Sequence, residues 1–429
     1  MSIDPFLVVR AGSIYVATVL TMAVWVWRRP SHSAMAGAAL AFFLNVPVVL
    51  AVSIAAAQFG WWQFTATGGL LLGIPVDLLL SWAWLWSVVP ALALPSWPLT
   101  AIALIVTATD VLLMPLGAPV ITLGSRWLVG EAIGVIAGVI PGQLLARWTA
   151  RGEHVAGRAT LQALTFAALV MFVLPATILQ ASGTTWLNPI TLPAWKVSLA
   201  LQMLAVPAIL GLTAVQEFAT RGGGTPVPFD PPRRLVTSGL YSYVANPMQL
   251  AGVLLLIMLG IMLRNVWVSA AGVMAHLYAA GFAGWDEHDD LRRRFGRDWE
   301  VYRRNVPRWR PRYRPWHRDA EPPARLFVAT SCGMCHQIGM WFAKRDARQL
   351  EIVPAERHPS RSLTRITYES GDGTFTTDGV DAIARALEHL HFWWAMVAFA
   401  LRLPVVAPLV QLLADASGAQ PRRIPLDVP

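Results

Sequence analysis

The chain has 429 residues, 55% of them hydrophobic and only 14% charged, with a mean hydropathy of +0.50. Soluble domains carry about 25% charged residues, so these values exclude an ordinary soluble enzyme and imply a polytopic membrane protein with room for one modest soluble domain. The formal charge of +9, from 34 basic and 25 acidic residues, fits membrane-flanking arginines better than a nucleic-acid surface, and two cysteines three apart leave no secreted disulfide framework.

Apolar stretches long enough to cross about 30 Å of hydrocarbon occur near 6–27, 34–58, 68–94, 99–123, 127–148, 161–182, 195–218, 248–264 and 266–285. That gives about nine spans, the last two a hairpin turning at Arg264-Asn265. Asp4 and Arg10 make a poor signal-peptide start, and Arg28 and Arg29 follow like a stop-transfer flank, so the first stretch counts as a span. Arg28, Arg29, Arg147, Arg151, Arg158, Arg221, Arg233 and Arg234 fall in one set of loops, whereas loops 59–67 and 183–194 carry no Lys or Arg. The positive-inside rule then puts the N-terminus outside a cell inner (plasma) membrane and everything after Trp285 in the cytoplasm.

Within the first five spans stand Asp77, Asp110 and Glu131. Intramembrane acids suggest function by default, and the plainer alternative pairs them with Arg126, tryptophan or backbone groups. Trp82, Trp84 and Trp86, with Trp61 and Trp62, read as an interfacial aromatic belt.

Arg233–Leu250 reads Arg-Arg-Leu-Val-Thr-Ser-Gly-Leu-Tyr-Ser-Tyr-Val-Ala-Asn-Pro-Met-Gln-Leu, after a loop holding Gly222, Gly223, Gly224, Pro226, Pro228, Pro231 and Pro232. Pro247 can open the following helix, whose first-turn N–H groups and positive end suit a carboxylate. Tyr241 and Tyr243 supply faces that attract a cation such as a sulfonium. Glu287, past the hairpin, suits an ammonium or an adenine-ribose group. S-adenosylmethionine carries all of these groups; interfacial anchoring alone is the competing use of the same residues.

The order of motifs adds to this. Arg234-Leu235-Val236, Gly239-Leu240-Tyr241, Ala245-Asn246-Pro247-Met248-Gln249, Glu287-His288-Asp289-Asp290-Leu291, Phe295-Gly296-Arg297-Asp298-Trp299, Tyr302 and Val306-Pro307 resemble the membrane methyltransferases typified by isoprenylcysteine carboxyl methyltransferase, with phospholipid N-methyltransferases more distant. The resemblance covers 221–315. It implies S-adenosylmethionine held by Arg233, Arg234, Leu235, Val236, Tyr241, Asn246, Pro247, Met248, Gln249 and Glu287. Where the family has Arg, Tyr and a second Glu, this chain has Ala245, Gln249 and His288, with Asp286 on the other side of Glu287. Ala283 replaces the arginine thought to meet the acceptor carboxylate. The implied acceptor is therefore a membrane lipid or apolar small molecule rather than a prenylcysteine carboxylate.

Eleven arginines in 292–318 face only Asp298 and Glu300. They suit anionic lipid headgroups, and Arg303 and Arg304 could instead close the cofactor pocket. After the linker 319–324, Arg325–Thr330 alternates like a strand and leads into Ser331-Cys332-Gly333-Met334-Cys335-His336 and a helix. Leu350–Pro354 follows as a strand, then a hairpin turning at Ser370-Gly371-Asp372-Gly373, then a helix over Val380–Leu390 with Asp378 as a plausible N-cap. A strand followed by Cys-x-x-Cys at a helix start is a redox arrangement that favours a Cys332 thiolate, with Cys335 to resolve a mixed disulfide. With Gly379-Val380-Asp381-Ala382, the segment resembles the DCC family of thiol-disulfide oxidoreductases over 325–415, although Ala329-Thr330-Ser331 stands where that family has an acidic lead. Cys332–His336 also matches the c-haem pentapeptide, which needs an exported domain, and zinc would need His358 or His389 at no familiar spacing. Phe392–Leu413 is broken by Arg402, Pro404 and Pro408 and reads as a surface-lying tail.

The expected fold is mainly α: a polytopic transmembrane helical bundle with a small C-terminal α/β thioredoxin-like domain. Its parts are N-terminal spans 1–160, a methyltransferase-like core 161–318, the linker 319–324, and the dithiol domain 325–429. The competing functions are a membrane-anchored thiol-disulfide oxidoreductase, and a non-enzymatic scaffold or transporter using the intramembrane acids.

Overall fold

The computed structural model describes residues 4–186, 192–227, 230–318 and 321–425. Pro228, the first linker residues 319–320, part of loop 183–194, and the side chains of Ala283 and Asp286 lie outside the described residues. Seven described helices are long and apolar enough to cross a membrane. They are α1 (Pro5–Arg28), α2 (His32–Phe59), α3 (Val76–Ala93), α4 (Leu99–Gly117), α5 (Trp127–Arg151), α6 (Val155–Ala181) and α7 (Ala194–Gly222).

The other two expected spans form shorter apolar helices, α8 (Pro247–Met262) and α9 (Val266–Ala280), of 16 and 15 residues. At 1.5 Å per residue each reaches roughly 22–24 Å, short of a hydrocarbon core of about 30 Å. Nine spans therefore become seven and a short hairpin. Arg264 turns the chain with φ 53°, and Asn265 Oδ1 then accepts the N–H groups of Trp267 (3.0 Å) and Val268 (3.1 Å), capping α9. Gly68, Gly69 and Gly73, all at positive φ, delay the start of α3 to Val76. The extended residues before α3 and after α4 pair instead as β1 (Trp62–Phe64) and β2 (Ile121–Leu123), antiparallel with Trp62 opposite Leu123.

The chain forms two compact units. The first comprises Met1–Leu192, Gly223–Pro231 and Leu259–Ala270. Lipid offers no hydrophobic drive for helix association, so small residues let backbones approach instead. A Cβ added at Gly37 of α2 would overlap the Ala146 carbonyl of α5, and one at Gly138 or Gly142 would press on Asn45. Val49, Leu50, Leu79, Ala83, Trp86, Ile102, Val106 and Val139 fill the space between α2, α3, α4 and α5.

The second unit comprises Pro193–Gly222, Pro232–Met258 and Ala271–Pro429. Here α10 (Phe282–Asn305) bends at Gly296, whose φ of 52° and ψ of −124° lie outside the helical region and suit glycine. The C-terminal residues build β3 (Ala324–Val328), α11 (Gly333–Ala343), β4 (Leu350–Pro354), β5 (Thr367–Glu369), β6 (Thr376–Asp378) and α12 (Val380–Leu387). The sheet runs β4-β3-β5-β6, with β3 and β4 parallel and both other pairs antiparallel. Leu326 sits opposite both Ile352 and Tyr368, at the centre of a core with Phe342, Ala382 and Leu387. Asp378 ends β6 and accepts the Thr367 hydroxyl at 2.6 Å, so Gly379 rather than Asp378 precedes α12. The apolar tail divides into α13 (Phe392–Leu401) and α14 (Val406–Ala414), bent by 90°. It lies on its own unit, with Ala395 and Phe399 packed into a core with Leu210, Ala214 and Tyr243.

Candidate functional site

The stretch after α7 is held by backbone hydrogen bonds rather than by regular structure. The Arg233 N–H donates to the Gly222 carbonyl at 2.8 Å, and Gly239, at φ 59°, starts a tight turn through Ser242. Past the turn the chain lies along the segment after α10. The Ala245 N–H donates to Pro307 O (2.9 Å) and the Asn246 N–H to Arg308 O (3.2 Å). The N–H groups of Arg312 and Trp316 return bonds to the carbonyls of Tyr243 and Ser242, both at 2.9 Å. The Tyr302 hydroxyl reaches the Tyr241 carbonyl at 2.8 Å. The Val306-Pro307 motif therefore clamps Ala245-Asn246, which explains why the two are found in one ordered set.

This clamp brings Asn246 and Glu287 to one small pocket of about 10 Å³, with Ala245, Gly284, His288, Trp299, Arg303 and Arg308 as the other walls. Glu287 reaches the surface at one edge. Desolvation by its bulky neighbours still raises its carboxyl above the ordinary value, and the Arg308 guanidinium opposes that rise. Gly284 matters because a Cβ there would overlap that guanidinium. His288 Nδ1 accepts from Trp299 Nε1 at 2.9 Å and also contacts Arg303. Its pKa is lowered by desolvation and then by Arg303, which favours a neutral ring. Gln249 Oε1 accepts from Asn246 Nδ2 at 3.1 Å, fixing the amide from within the first turn of α8 that Pro247 and Met248 begin.

Tyr241 is 5% exposed, and its hydroxyl has no hydrogen-bond partner among the described residues. Burial holds that phenol well above its usual pKa, so it stays protonated and able to donate. The remaining expected cofactor residues part company with this group. Arg234, Leu235 and Val236 line a larger cleft of about 260 Å³, and Arg233 is exposed. Arg308 and Gly284 escaped sequence reasoning; the only signal was the closeness of Arg308 to Val306-Pro307.

In the dithiol region Cys332 is the N-cap residue of α11, and its carbonyl accepts the His336 N–H at 2.8 Å. Hydrogen bonds from the Cys335 thiol and backbone lower the Cys332 pKa, while burial pushes the Cys335 thiol up to about 12. The preceding loop is braced by Glu356, whose Oε1 accepts from the N–H groups of Thr330 (2.9 Å) and Ser331 (3.1 Å). An acid from the end of β4 thus stands behind a cysteine loop that lacks an acidic lead of its own. His358 is engaged by Glu369 at 3.0 Å, and His389 by the Tyr368 hydroxyl and the Arg348 carbonyl. Among the described residues no three His, Cys, Asp or Glu side chains cluster to hold a metal.

The intramembrane acids are also placed. Asp77 pairs with Arg10 at 2.6 Å, tying α1 to α3. Asp110 accepts from the indoles of Trp82 (3.2 Å) and Trp86 (2.5 Å) and shares a hydrogen bond with Glu131. Trp62 and Trp86 are 4% and 3% exposed, which corrects the reading of an interfacial belt for these two. Residues four apart share a helix face, and on α3 that face turns Trp82 and Trp86 inward to Asp110.

Residues 195–298 match the family model of phospholipid methyltransferases. Neither the curated proteins nor the solved structures yield a match. The matched segment runs from α7 into α10 and contains Asn246, Gly284, Glu287 and His288, so the part of the chain that builds most of the pocket is the part similar to membrane methyltransferases acting on lipids.

Proposed function

We propose that the protein is an integral membrane methyltransferase that uses S-adenosylmethionine and acts on a lipid or other apolar acceptor entering laterally from the bilayer. The observation that carries the reading is the convergence on one pocket of Asn246 and Glu287, inside the segment matching phospholipid methyltransferases, with Arg303 and Arg308, which follow that segment. The donor set fits the cofactor's amino-acid end. Glu287 suits the ammonium, and a guanidinium suits the carboxylate. Small-molecule sites usually span roughly 300–1,000 Å³, so the Glu287 pocket, at about 10 Å³, must open to admit even the amino-acid end of the cofactor.

The cofactor supplies a methyl group on a sulfonium. The chain's residues hold donor and acceptor in line and exclude water, and no side chain forms a bond to the methyl group. Calorimetric titration of S-adenosylmethionine into detergent-purified protein tests this. Saturable micromolar-range binding, lost in Glu287→Ala, is expected, and a folded wild-type protein that binds nothing would refute it.

A second reading concerns the dithiol. The sheet order and the position of Cys332 at a strand-to-helix step support a thioredoxin-like domain of the DCC type. In it the Cys332 thiolate attacks a substrate disulfide and Cys335 resolves the mixed disulfide, leaving the substrate reduced and Cys332–Cys335 oxidised. The charge pattern of the loops supports placing this domain in the cytoplasm, at a membrane whose anionic headgroups the arginines of 292–318 would meet.

A further inference from the structure

The largest set of buried charges in the second unit lies outside the pocket. Glu217, near the end of α7, is fully buried. Its Oε2 accepts from Arg402 at 2.9 Å, and Arg385 donates to Oε1 at 3.1 Å while lying 2.9 Å from Oε2. Glu388 answers the same two arginines at 3.3 and 2.5 Å. Arg385 sits on α12 and Arg402 at the end of α13, so one carboxylate of the matched segment is held by two arginines of the C-terminal domain. The four charges cancel. Such a group is costly to bury and weak evidence for stability as such, yet breaking one pair leaves an uncompensated charge.

What the quartet touches gives it a role. Glu217 Oε1 accepts the Ser238 hydroxyl at 2.5 Å, and its Cδ lies 2.9 Å from where a Gly239 Cβ would stand. Ser238 and Gly239 open the turn that carries Tyr241, and the same strand of chain runs on to Asn246 in the pocket. Five residues further on, the Tyr243 hydroxyl donates to the Glu388 backbone carbonyl at 2.8 Å. One end of the turn is therefore fixed to Glu217 of α7, which the C-terminal arginines hold, and the other to Glu388 of the C-terminal domain itself.

We infer that Glu217 is a positioning residue for cofactor binding, and that Arg385, Arg402 and Glu388 make the C-terminal domain a working part of the methyltransferase. The inference rests on the proposed function, because the turn is a cofactor loop only in that reading. Arg402 bridges two carboxylates through separate nitrogens, NH1 to Glu388 and NH2 to Glu217, and a lysine cannot reproduce that fork.

The test titrates S-adenosylmethionine into full-length wild type, Ser238→Ala, Arg402→Lys and Arg402→Ala, with the thermal midpoint of each measured in parallel. Ser238→Ala removes the link through Glu217 and keeps the one from Tyr243 to Glu388. A hydrogen bond to a charged group also contributes to stability, so the midpoint of Ser238→Ala should fall, and a rise of about tenfold in Kd is expected at a temperature well below that midpoint. Arg402→Lys should fall between wild type and Arg402→Ala. If Arg402→Ala does not fold, Ser238→Ala and Arg402→Lys decide the matter. Wild-type affinity in both of those variants overturns the inference while leaving the proposed function standing. Failure of the wild type to bind, with Glu287→Ala no different, overturns both.

Discussion

Cys332 and Cys335 sit one helical turn apart in opposite conditions. The first is at the end of α11 and receives hydrogen bonds from the second, whereas the second is desolvated in the core beneath. Alkylation of the reduced protein should therefore proceed at Cys332 with a midpoint below the ordinary thiol value, and at Cys335 only as pH approaches about 12. The leading cause at Cys332 is the Cys335 side chain, so Cys335→Ser should shift the Cys332 midpoint, while Cys332→Ser should silence the neutral-pH reaction. Stability follows with a definite sign. The raised Cys335 pKa favours the folded state fully below the unfolded thiol pKa, and that contribution is lost as pH rises toward about 12. The depressed Cys332 pKa contributes above the unfolded thiol pKa and is lost as pH falls. Mass-spectrometric mapping of alkylated peptides against pH checks the order, and equal rates at the two cysteines near neutrality would contradict it.

At the scale of elements, the hairpin of α8 and α9 depends on close approach at glycines, at Gly272 against Ile257 and most tightly at Gly260. A Cβ on Gly260 would overlap the backbone nitrogen and hydroxyl of Ser269. Backbone cannot yield as a side-chain tip can, so Gly260→Ala should cost about 1–3 kcal/mol. The cost would appear as a lowered thermal midpoint, and an unchanged midpoint would show that the two helices do not pack at this point. The hairpin itself was legible in the sequence, because Arg264-Asn265 interrupts a long apolar run. So were the strands at Leu350–Pro354 and around Ser370-Gly371-Asp372-Gly373, since period-two patterning and turn residues are local signals. The pocket was half legible: the motif order marked Asn246 and Glu287, while Arg308 entered only through the clamp between Ala245-Asn246 and Pro307-Arg308. The Glu217 quartet was not legible at all. Arg385 and Arg402 lie 168 and 185 residues from Glu217, and no local pattern encodes a pairing at that distance. Trp82 and Trp86 misled for a related reason, since a tryptophan looks the same in sequence whether it meets lipid headgroups or the carboxylate of Asp110.

At the scale of the whole molecule, sidedness does not depend on whether the last two expected spans cross the membrane. A hairpin that enters and returns on one side changes the number of crossings by zero or by two. Seven long helices alone, or seven with two more, give the same parity. The ion pair of Arg10 with Asp77 and the bond from the Trp84 indole to Thr21 at 2.7 Å keep α1 in the bundle, so it counts among the seven. With arginines flanking the loops at Arg28-Arg29, Arg147–Arg158 and Arg221–Arg234, the expected arrangement has the N-terminus outside and the dithiol inside. Cys332 and Cys335 are the chain's only two cysteines, so native labelling can test it. A membrane-impermeant maleimide should label inside-out vesicles and spare right-side-out ones until detergent is added. Thr67→Cys, in a chain carrying Cys332→Ser and Cys335→Ser, places a thiol in the arginine-free loop before α3 and should invert the pattern. Labelling of the native cysteines from the outside would reverse the orientation and would put the arginines of 292–318, with the mouth of the Glu287 pocket, on the face away from cytoplasmic S-adenosylmethionine. The proposed methyltransferase requires the opposite result, so the same vesicles that test topology also test whether the cofactor can reach its pocket.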